Sequence, residues 1–362
     1  MSITQQPRHT PHTPWRHTAR IGAALAAIVA VVVIAFLWPS FTASAKNLPV
    51  VLVGPTAQTT AVEMALSAAS PGTFAFTVVP DRAKAIASIE QRKDYGAVVL
   101  GASPEVLTAS AANPTIAQLL AGLAPILQQQ RAAAAAAQHA PAAANGSVKI
   151  VDVAPLLPTD PRGSTIGASS FPLVLGGILG GVIIALTVVG VWRRYAALGI
   201  YSVAGSAAIT GVLQCWFGAL AGEYFVNAGA IALVLLGIGG VMLGAAALVG
   251  RAGVAVGPII FLLGANPISA AALPIEFLAS PWGAIGQWFP PGAGATLLRY
   301  LSYFPKADLS FPWLVLAGWA VLGLLLGLLG HFRNSGAATL TAELEAEGLP
   351  RHSAELPLHA AA

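Results

Sequence analysis

The sequence predicts an α-helical polytopic membrane protein of about six transmembrane helices, with an extracytoplasmic α/β domain inserted after the first helix. Three observations support this prediction. The 362 residues are 56% hydrophobic and only 9% charged, whereas roughly a quarter of the residues of a soluble protein are charged. Several uncharged apolar runs are long enough to span a bilayer. One long segment, residues 39–170, separates the first two runs and contains 15 of the 32 charged residues.

The apolar runs divide the chain. After a basic tail, residues 1–20, the run Ile21–Trp38 contains 18 residues and would form a helix about 27 Å long. A membrane bundle of five further helices is predicted within residues 171–330, and residues 331–362 are predicted to be a cytoplasmic tail without fixed structure. The five predicted helices are Phe171–Val191, Ala197–Leu220, Phe225–Val249, Val254–Leu278 and Phe311–Gly330.

The segment Val254–Leu278 differs from the other apolar runs because Asn266-Pro267 interrupts it. Proline lacks a backbone donor and disfavours helix at the residue before it. This segment is therefore either one kinked span or a half-span followed by a re-entrant piece.

Basic residues near the spans predict the orientation, because they are in excess in short cytoplasmic loops. If the N-terminus is cytoplasmic, the following basic residues lie on the same side: Arg8, Arg16, Arg20, Arg193, Arg194 and Arg251. Arg299 and Lys306 lie in the loop before the last span, so the charge rule alone does not place the C-terminus. A count of six spans places it in the cytoplasm. A high alanine, glycine and arginine content is typical of GC-rich bacteria, so we expect a bacterial plasma membrane.

The first apolar run has a second interpretation. Ala43-Ser44-Ala45 follows it and is similar to a signal-peptidase site. The apolar core of a signal peptide is usually about 7–15 residues long, which is shorter than the 18-residue run here. We therefore favour an uncleaved anchor.

Within the inserted segment, short apolar runs predict strands buried on both faces. They are Pro49–Val53, Phe74–Val79, Ala97–Leu100 and Val148–Val153. Helical stretches lie between them, and Ser103-Pro104 has the pattern of an N-cap followed by proline in the first turn. Alternating strands and helices predict a small α/β domain with a mainly parallel sheet.

The sequence contains none of the catalytic motifs that were sought. It has no GxxxxGK[ST] loop, GxSxG elbow, HExxH helix or CxxC pair. We therefore predict no catalytic residues, no cofactor, no metal site and no enzyme activity. The basic residues are too few and too dispersed for a nucleic-acid partner.

The predicted spans contain polar and small residues in regular patterns. Ser202, Ser206, Thr210 and Gln214 recur every four residues and lie on one helical face. They either pack against another helix or line a substrate path. Gly176 with Gly180, Gly240 with Gly244, and Gly323 with Gly327 form GxxxG pairs, which predict close helix packing within one chain or between two copies.

The segment 279–303 is too apolar for an exposed loop and too interrupted by proline and glycine for a span. It contains Trp282 and Trp288 among several prolines and glycines. Tryptophan is enriched at membrane interfaces. We therefore predict short helices that dip into the outer leaflet as a re-entrant segment.

The order of these elements resembles the type-2 ABC exporter permeases, in particular the phage-infection-protein-like branch with a large extracytoplasmic domain. Two stretches of the inserted domain, Leu48–Val53 and Tyr95–Gly101, carry part of the resemblance. The rest lies in the bundle, at Asn266-Pro267, Leu273-Pro274 and Ile285–Ala293.

The resemblance implies a permease subunit of an ATP-driven exporter, with the ATPase on a separate cytoplasmic chain. It implies a homodimer or a heterodimer with a second permease, surrounded by membrane lipid. The expected outer gate is Pro290, Pro291, Gly292 and Gly294. The expected path is lined by Ser206, Thr210, Gln214 and Asn266. Arg193 and Arg194 lie where the ATPase is contacted in such permeases. The alternative is a membrane-anchored extracytoplasmic receptor or scaffold without transport activity.

Overall fold

The computed structural model describes residues 13–101, 103–137 and 147–346, without the side chains of residues 134–137, 251 and 334–346. Arg8 of the basic tail and residues 347–362 of the predicted C-terminal tail lie outside the described residues.

The described residues contain five long apolar helices. They are α1 (Trp15–Phe41), α6 (Thr165–Thr187), α7 (Val191–Thr210), α8 (Tyr224–Val249) and α11 (Ser310–Ala346). A π-helical turn, Gly211–Trp216, extends α7. Each is long and apolar enough to cross a membrane. The protein is therefore a helical, multi-pass membrane protein, as predicted. Helix α11 continues to Ala346, although residues 331–362 were expected to lack fixed structure.

Helix α8 is the centre of the bundle. Most of it is buried, and α6, α7 and α11 pack around it. Glycines allow the close contacts: a Cβ on Gly323 would lie 2.5 Å from the backbone carbon of Gly240, and one on Gly177 would lie 2.9 Å from Ile238 Cβ. The GxxxG pairs of α6, α8 and α11 thus pack against neighbours within one chain. Helix α1 stands apart, with no buried residue.

Residues 48–152 contain a five-stranded sheet and four of the remaining helices. The strands are β1 (Leu48–Val53), β2 (Phe74–Val79), β3 (Gly96–Val99), β4 (Glu105–Thr108) and β5 (Lys149–Asp152), in the order β2-β1-β3-β4-β5. The helices are α2 (Thr56–Ala69), α3 (Arg82–Glu90), α4 (Pro114–Ala121) and α5 (Leu123–Ala137). We call residues 46–160 the sheet region.

The sheet differs from the prediction at its fourth strand. β1, β2 and β3 are parallel, but β4 pairs antiparallel to β3 and β5 pairs parallel to β4. Ser103-Pro104 was predicted to begin a helix, and β4 follows it instead. The same cap-then-proline pattern recurs at Asn113-Pro114, where α4 begins and Asn113 accepts from two backbone N–H groups. Pairing with β3 therefore overrides the local helix signal at the first position.

The sheet region rests on one end of the bundle. Phe304 and Ala307, just before α11, belong to the same buried core as the strands. Lys306 pairs with Glu90 at 2.7 Å, and the Thr159 hydroxyl donates to the carbonyl of Gly218, after α7. We call this the sheet end of the bundle. The opposite end, where α8 ends and α7 begins, is the far end.

The two glycines Gly323 and Gly318 of α11 provide a matched test of this packing. Gly323 is buried against Gly240, whereas a Cβ on Gly318 would meet nothing within 4 Å. We predict that Gly323→Ala destabilises the protein by about 1–3 kcal/mol because the added methyl overpacks the interface. Gly318→Ala should be neutral or stabilising by about 0.5–1 kcal/mol. Thermal unfolding in mild detergent measures both, and equal melting temperatures would contradict the packing described.

Candidate functional site

The chain between α8 and α11 is not one continuous helix, and we call residues 250–303 the broken segment. It contains a 3-10 turn (Gly250–Ala255), a π-helical stretch (Pro258–Ala265) and a second 3-10 turn (Ile275–Phe277), then α9 (Trp282–Gly286) and α10 (Pro290–Tyr303). The apolar helical part, Ala252–Ala265, is shorter than a span. The helix stops at Asn266-Pro267, as expected from the missing proline donor.

The first half of the broken segment runs from one end of the bundle to the other. At the far end, Gly257 packs against Met242, in the last third of α8. Farther along, a Cβ on Gly167 would lie 3.1 Å from the Cα of Ala272, and Gly167 lies in the first turn of α6, at the sheet end. Residues 250–272 therefore connect the two ends of the bundle, although only part of them is helical.

The second half enters the bundle from the sheet end and returns to it. The carbonyl of Phe277 accepts from the backbone N–H of Ser44, just after α1. Pro290 then lies near Gly237, in the middle of α8. Ser302 accepts from the backbone N–H of Ala221, just before α8 and again at the sheet end. We call residues 279–303, with α9 descending and α10 ascending, the re-entrant hairpin.

Side chains supply partners for backbone groups that the missing helical turns leave unpaired. Gln287 Nε2 donates to the carbonyl of Ser269 at 2.9 Å, and Gln287 Oε1 accepts from Thr296 at 2.6 Å. Trp319 Nε1 of α11 donates to the carbonyl of Trp288 at 2.7 Å. Non-helical backbone at membrane depth is tolerated only when it is buried in protein or lines a cavity. These bonds hold the hairpin in the bundle.

The four predicted gate residues lie together at the tip of the re-entrant hairpin. Pro290 and Pro291 open α10, where a missing N–H costs nothing. A Cβ on Gly292 would overlap the carbonyl oxygen of Gly286, and one on Gly294 would lie 2.7 Å from Val234 Cγ2. All four are buried. Both glycines are required for the tip to approach its neighbours.

The predicted path residues of α7 form a buried row. Ser202, Ser206 and Thr210 are at most 3% exposed, and the row continues to Gln214. Gln214 Oε1 accepts from Asn227 of α8 at 2.9 Å. Ser202 Oγ and Thr210 Oγ1 are buried without a hydrogen-bond partner among the described residues. An unpaired buried polar group costs about 1–3 kcal/mol. Helix packing alone therefore does not explain why hydroxyl groups lie at Ser202 and Thr210.

Asn266 does not belong to this row. It lines a cleft of about 200 Å³ between α1, α6 and the turn after the π-helical stretch, together with Ser170 and Phe171. The four residues predicted to line one path thus lie in two places.

Arg193 and Arg194 also lie differently from the prediction, which put them between two helices. They belong to the first turn of α7, and only residues 188–190 separate α6 from α7. Arg194 Nε donates to the carbonyl of Val188 at 2.7 Å and so caps the end of α6. Arg193 is exposed at the far end.

Sequence reasoning missed two residues with central contacts, Asn227 and Gln287. The polar residues singled out in the spans recur every four residues along α7, whereas Asn227 and Gln287 are isolated amides, which also need partners in lipid. A search for buried amides in apolar segments would have found both. Tyr195 was missed for a different reason: its hydroxyl donates to the carbonyl of Gly323 at 2.7 Å, a contact that depends on tertiary packing.

No family model, curated protein or solved structure matches the chain. Its class, a multi-pass helical membrane protein, therefore follows from its own five apolar helices.

Gln287 provides a test of how the re-entrant hairpin is held. Gln287→Leu removes both hydrogen bonds of the side chain and leaves Ser269 and Thr296 unpaired. We predict that amide hydrogen exchange across residues 266–303 accelerates about tenfold or more, because the lost bonds contribute about 1–3 kcal/mol. Hydrogen-exchange mass spectrometry of the purified protein measures this.

Thr296→Val is the graded control, because it removes one bond and leaves the bond from Gln287 to Ser269. Its effect should be smaller and centred on α10. Unchanged exchange in Gln287→Leu would mean that the hairpin does not depend on these bonds.

Proposed function

We propose that the chain is the membrane-spanning permease subunit of an ATP-driven exporter whose ATPase is a separate chain. The observation that carries the proposal is the re-entrant hairpin, which enters and leaves the bundle at the sheet end. A protein that serves only as an anchor has no need for a broken helix whose backbone requires dedicated side-chain partners. Discontinuous helices that end near mid-membrane are a recurring feature of transport proteins.

The buried polar row on α7 supports the same function. Ser202 and Thr210 present unpaired hydroxyls inside the bundle, and polar residues facing a bundle interior often mark a substrate pathway. In the proposed cycle, movement of α7 against α8 exposes this row, and the hairpin tip at Pro290–Gly294 closes the path on the sheet side.

The proposed orientation places the sheet region outside the cytoplasm, as an extracytoplasmic α/β domain of a bacterial plasma-membrane protein. The path of residues 250–272 supports it, because this segment connects the two ends of the bundle and so completes six traverses. Both termini are then cytoplasmic. Arg193 and Arg194 lie at the far end, on the cytoplasmic side that the excess of basic residues favours.

ATP hydrolysis must come from a partner, since the sequence has no phosphate-binding loop of the Walker type. The far end is the side available to a cytoplasmic ATPase. Arg193 is exposed there, and no described residue forms an ion pair with it. A second permease, identical or not, completes the proposed path. The alternative function, an extracytoplasmic receptor or scaffold, does not account for the hairpin.

Purification from the native membrane in mild detergent, with mass spectrometry of the bound proteins, tests the proposal. We predict that a protein with a Walker loop is recovered in stoichiometric amount. Arg193→Ala should reduce its recovery about tenfold, which corresponds to about 1.4 kcal/mol of binding energy. Arg162→Ala, also exposed but beside the first turn of α6 at the sheet end, is the matched control and should have no effect.

A wild-type preparation without any such ATPase would contradict the permease. If secreted or envelope proteins were recovered instead, the receptor or scaffold would be the better description.

A further inference from the structure

The sheet region meets the broken segment in a group of charged and aromatic side chains. Arg92 and Tyr95 lie between α3 and β3, Glu276 lies in the second 3-10 turn, and Arg299 and Tyr300 lie near the end of α10. We call these five residues the junction cluster. None of them belongs to the hairpin tip or to the polar row on α7.

Hydrogen bonds fix three members of the cluster. The Tyr95 hydroxyl donates to Glu276 Oε2 at 2.5 Å, and Tyr95 is only 3% exposed. Burial raises the pKa of Tyr95, so the phenol stays protonated and remains a donor. Arg299 Nη2 donates to the carbonyl of Ala271 at 2.9 Å. The Glu276 carboxylate thus binds Tyr95, and the Arg299 guanidinium binds a backbone carbonyl.

Arg92 contacts its neighbours through the face of its guanidinium. Its Cζ lies 4.3 Å from the centre of the Tyr95 ring and 5.5 Å from that of Phe304. Its Nε is buried and has no hydrogen-bond partner among the described residues. Stacking uses the face of a guanidinium, while its N–H groups point outward in the plane. The Nε–H donor of Arg92 is therefore unused.

The charges of the cluster do not balance. Arg92 and Arg299 lie close enough to repel each other, and Glu276 is the only carboxylate of the cluster. Asp160 lies near Tyr303, but its oxygens accept from the backbone N–H groups of Ser164 and Thr165 at 3.3 and 3.0 Å. Arginine does not lose its proton in proteins, so two guanidinium groups and one carboxylate leave the cluster with an excess of positive charge.

We propose that the junction cluster binds an oxyanion of the phosphate class, held by the unpaired Nε–H side of the Arg92 guanidinium and by Arg299. The planar guanidinium matches phosphate in a two-bond geometry. The site lies at the sheet end, where α1 ends and α10 leaves the bundle, which is the depth of lipid headgroups in the proposed orientation.

The phosphate can come from a lipid headgroup or from solution, and both present the same oxygens. An apolar cleft of about 280 Å³ is lined by Trp38 of α1, Leu278 and Trp282. Leu278 is two residues from Glu276. If a lipid headgroup binds at the cluster, an acyl chain of that lipid can reach this cleft.

The test compares melting temperatures of the full-length protein with and without an anion. One arm adds inorganic phosphate to protein in maltoside detergent, which contains no phosphate. The other adds phosphatidylglycerol to protein in the same detergent. We predict that wild type is stabilised in at least one arm, because a ligand bound to the folded state raises its stability. A shift with phosphate alone assigns a free anion, and a shift with phosphatidylglycerol assigns a headgroup.

Arg92→Gln should weaken this binding at least about tenfold, since charged hydrogen bonds to phosphate are lost. Arg92→Lys keeps the charge without the planar fork and should retain part of the response. Arg82→Gln is the control at the other end of α3, where Arg82 pairs with Glu105 at 2.7 Å, and should respond as wild type does.

The readout is the difference caused by the anion, so it does not depend on the basal stability of each variant. If wild type responds in neither arm, or if Arg92→Gln responds as strongly as wild type, the proposed site does not exist.

Discussion

The structure depends on one constraint: backbone groups at membrane depth must find partners inside the protein. The broken segment gives up the regular hydrogen bonds of a helix after Ala265, and lipid offers no substitute. Gln287, Arg299 and Trp319 donate to carbonyls at three separate points of this segment. Each of these donors lies on α10, α11 or the turn before α10, so the hairpin and its supports stabilise one another.

The same constraint connects the bundle to the sheet region. The second 3-10 turn emerges at the sheet end, where its Glu276 accepts from Tyr95 and the carbonyl of Phe277 accepts from Ser44. Phe304, at the end of the hairpin, is buried in the core of the sheet region. A displacement of the hairpin would therefore disturb contacts on both sides of this boundary. In the proposed exporter, this connection lets the outer domain respond to the state of the path.

The sequence predicted the elements that depend on composition and failed where tertiary contacts decide. Apolar runs located the five long helices and placed the start of each within six residues, because twenty uncharged apolar residues are stable only in lipid or a core. The end of α11 was predicted too early, at Gly330 instead of Ala346. β4 was missed because its four residues form a strand only by pairing with β3. Asn266 was grouped with the α7 row because both are polar residues in apolar segments, and sequence spacing does not show which helices are neighbours. The amide of Asn227, buried against α7, was missed for the same reason.

In the proposed orientation, residues 250–272 complete a sixth traverse of the membrane. The sheet region and the α6–α7 turn then lie on opposite sides of the membrane. In a Cys215→Ser background, which removes the only native cysteine, single cysteines are placed at Met64 and Val189, both exposed. We expect a membrane-impermeant maleimide to label Met64→Cys in intact cells and Val189→Cys only after permeabilisation. Ala346→Cys, at the last residue of α11, should behave as Val189→Cys does. Labelling of that cysteine in intact cells would contradict the sixth traverse.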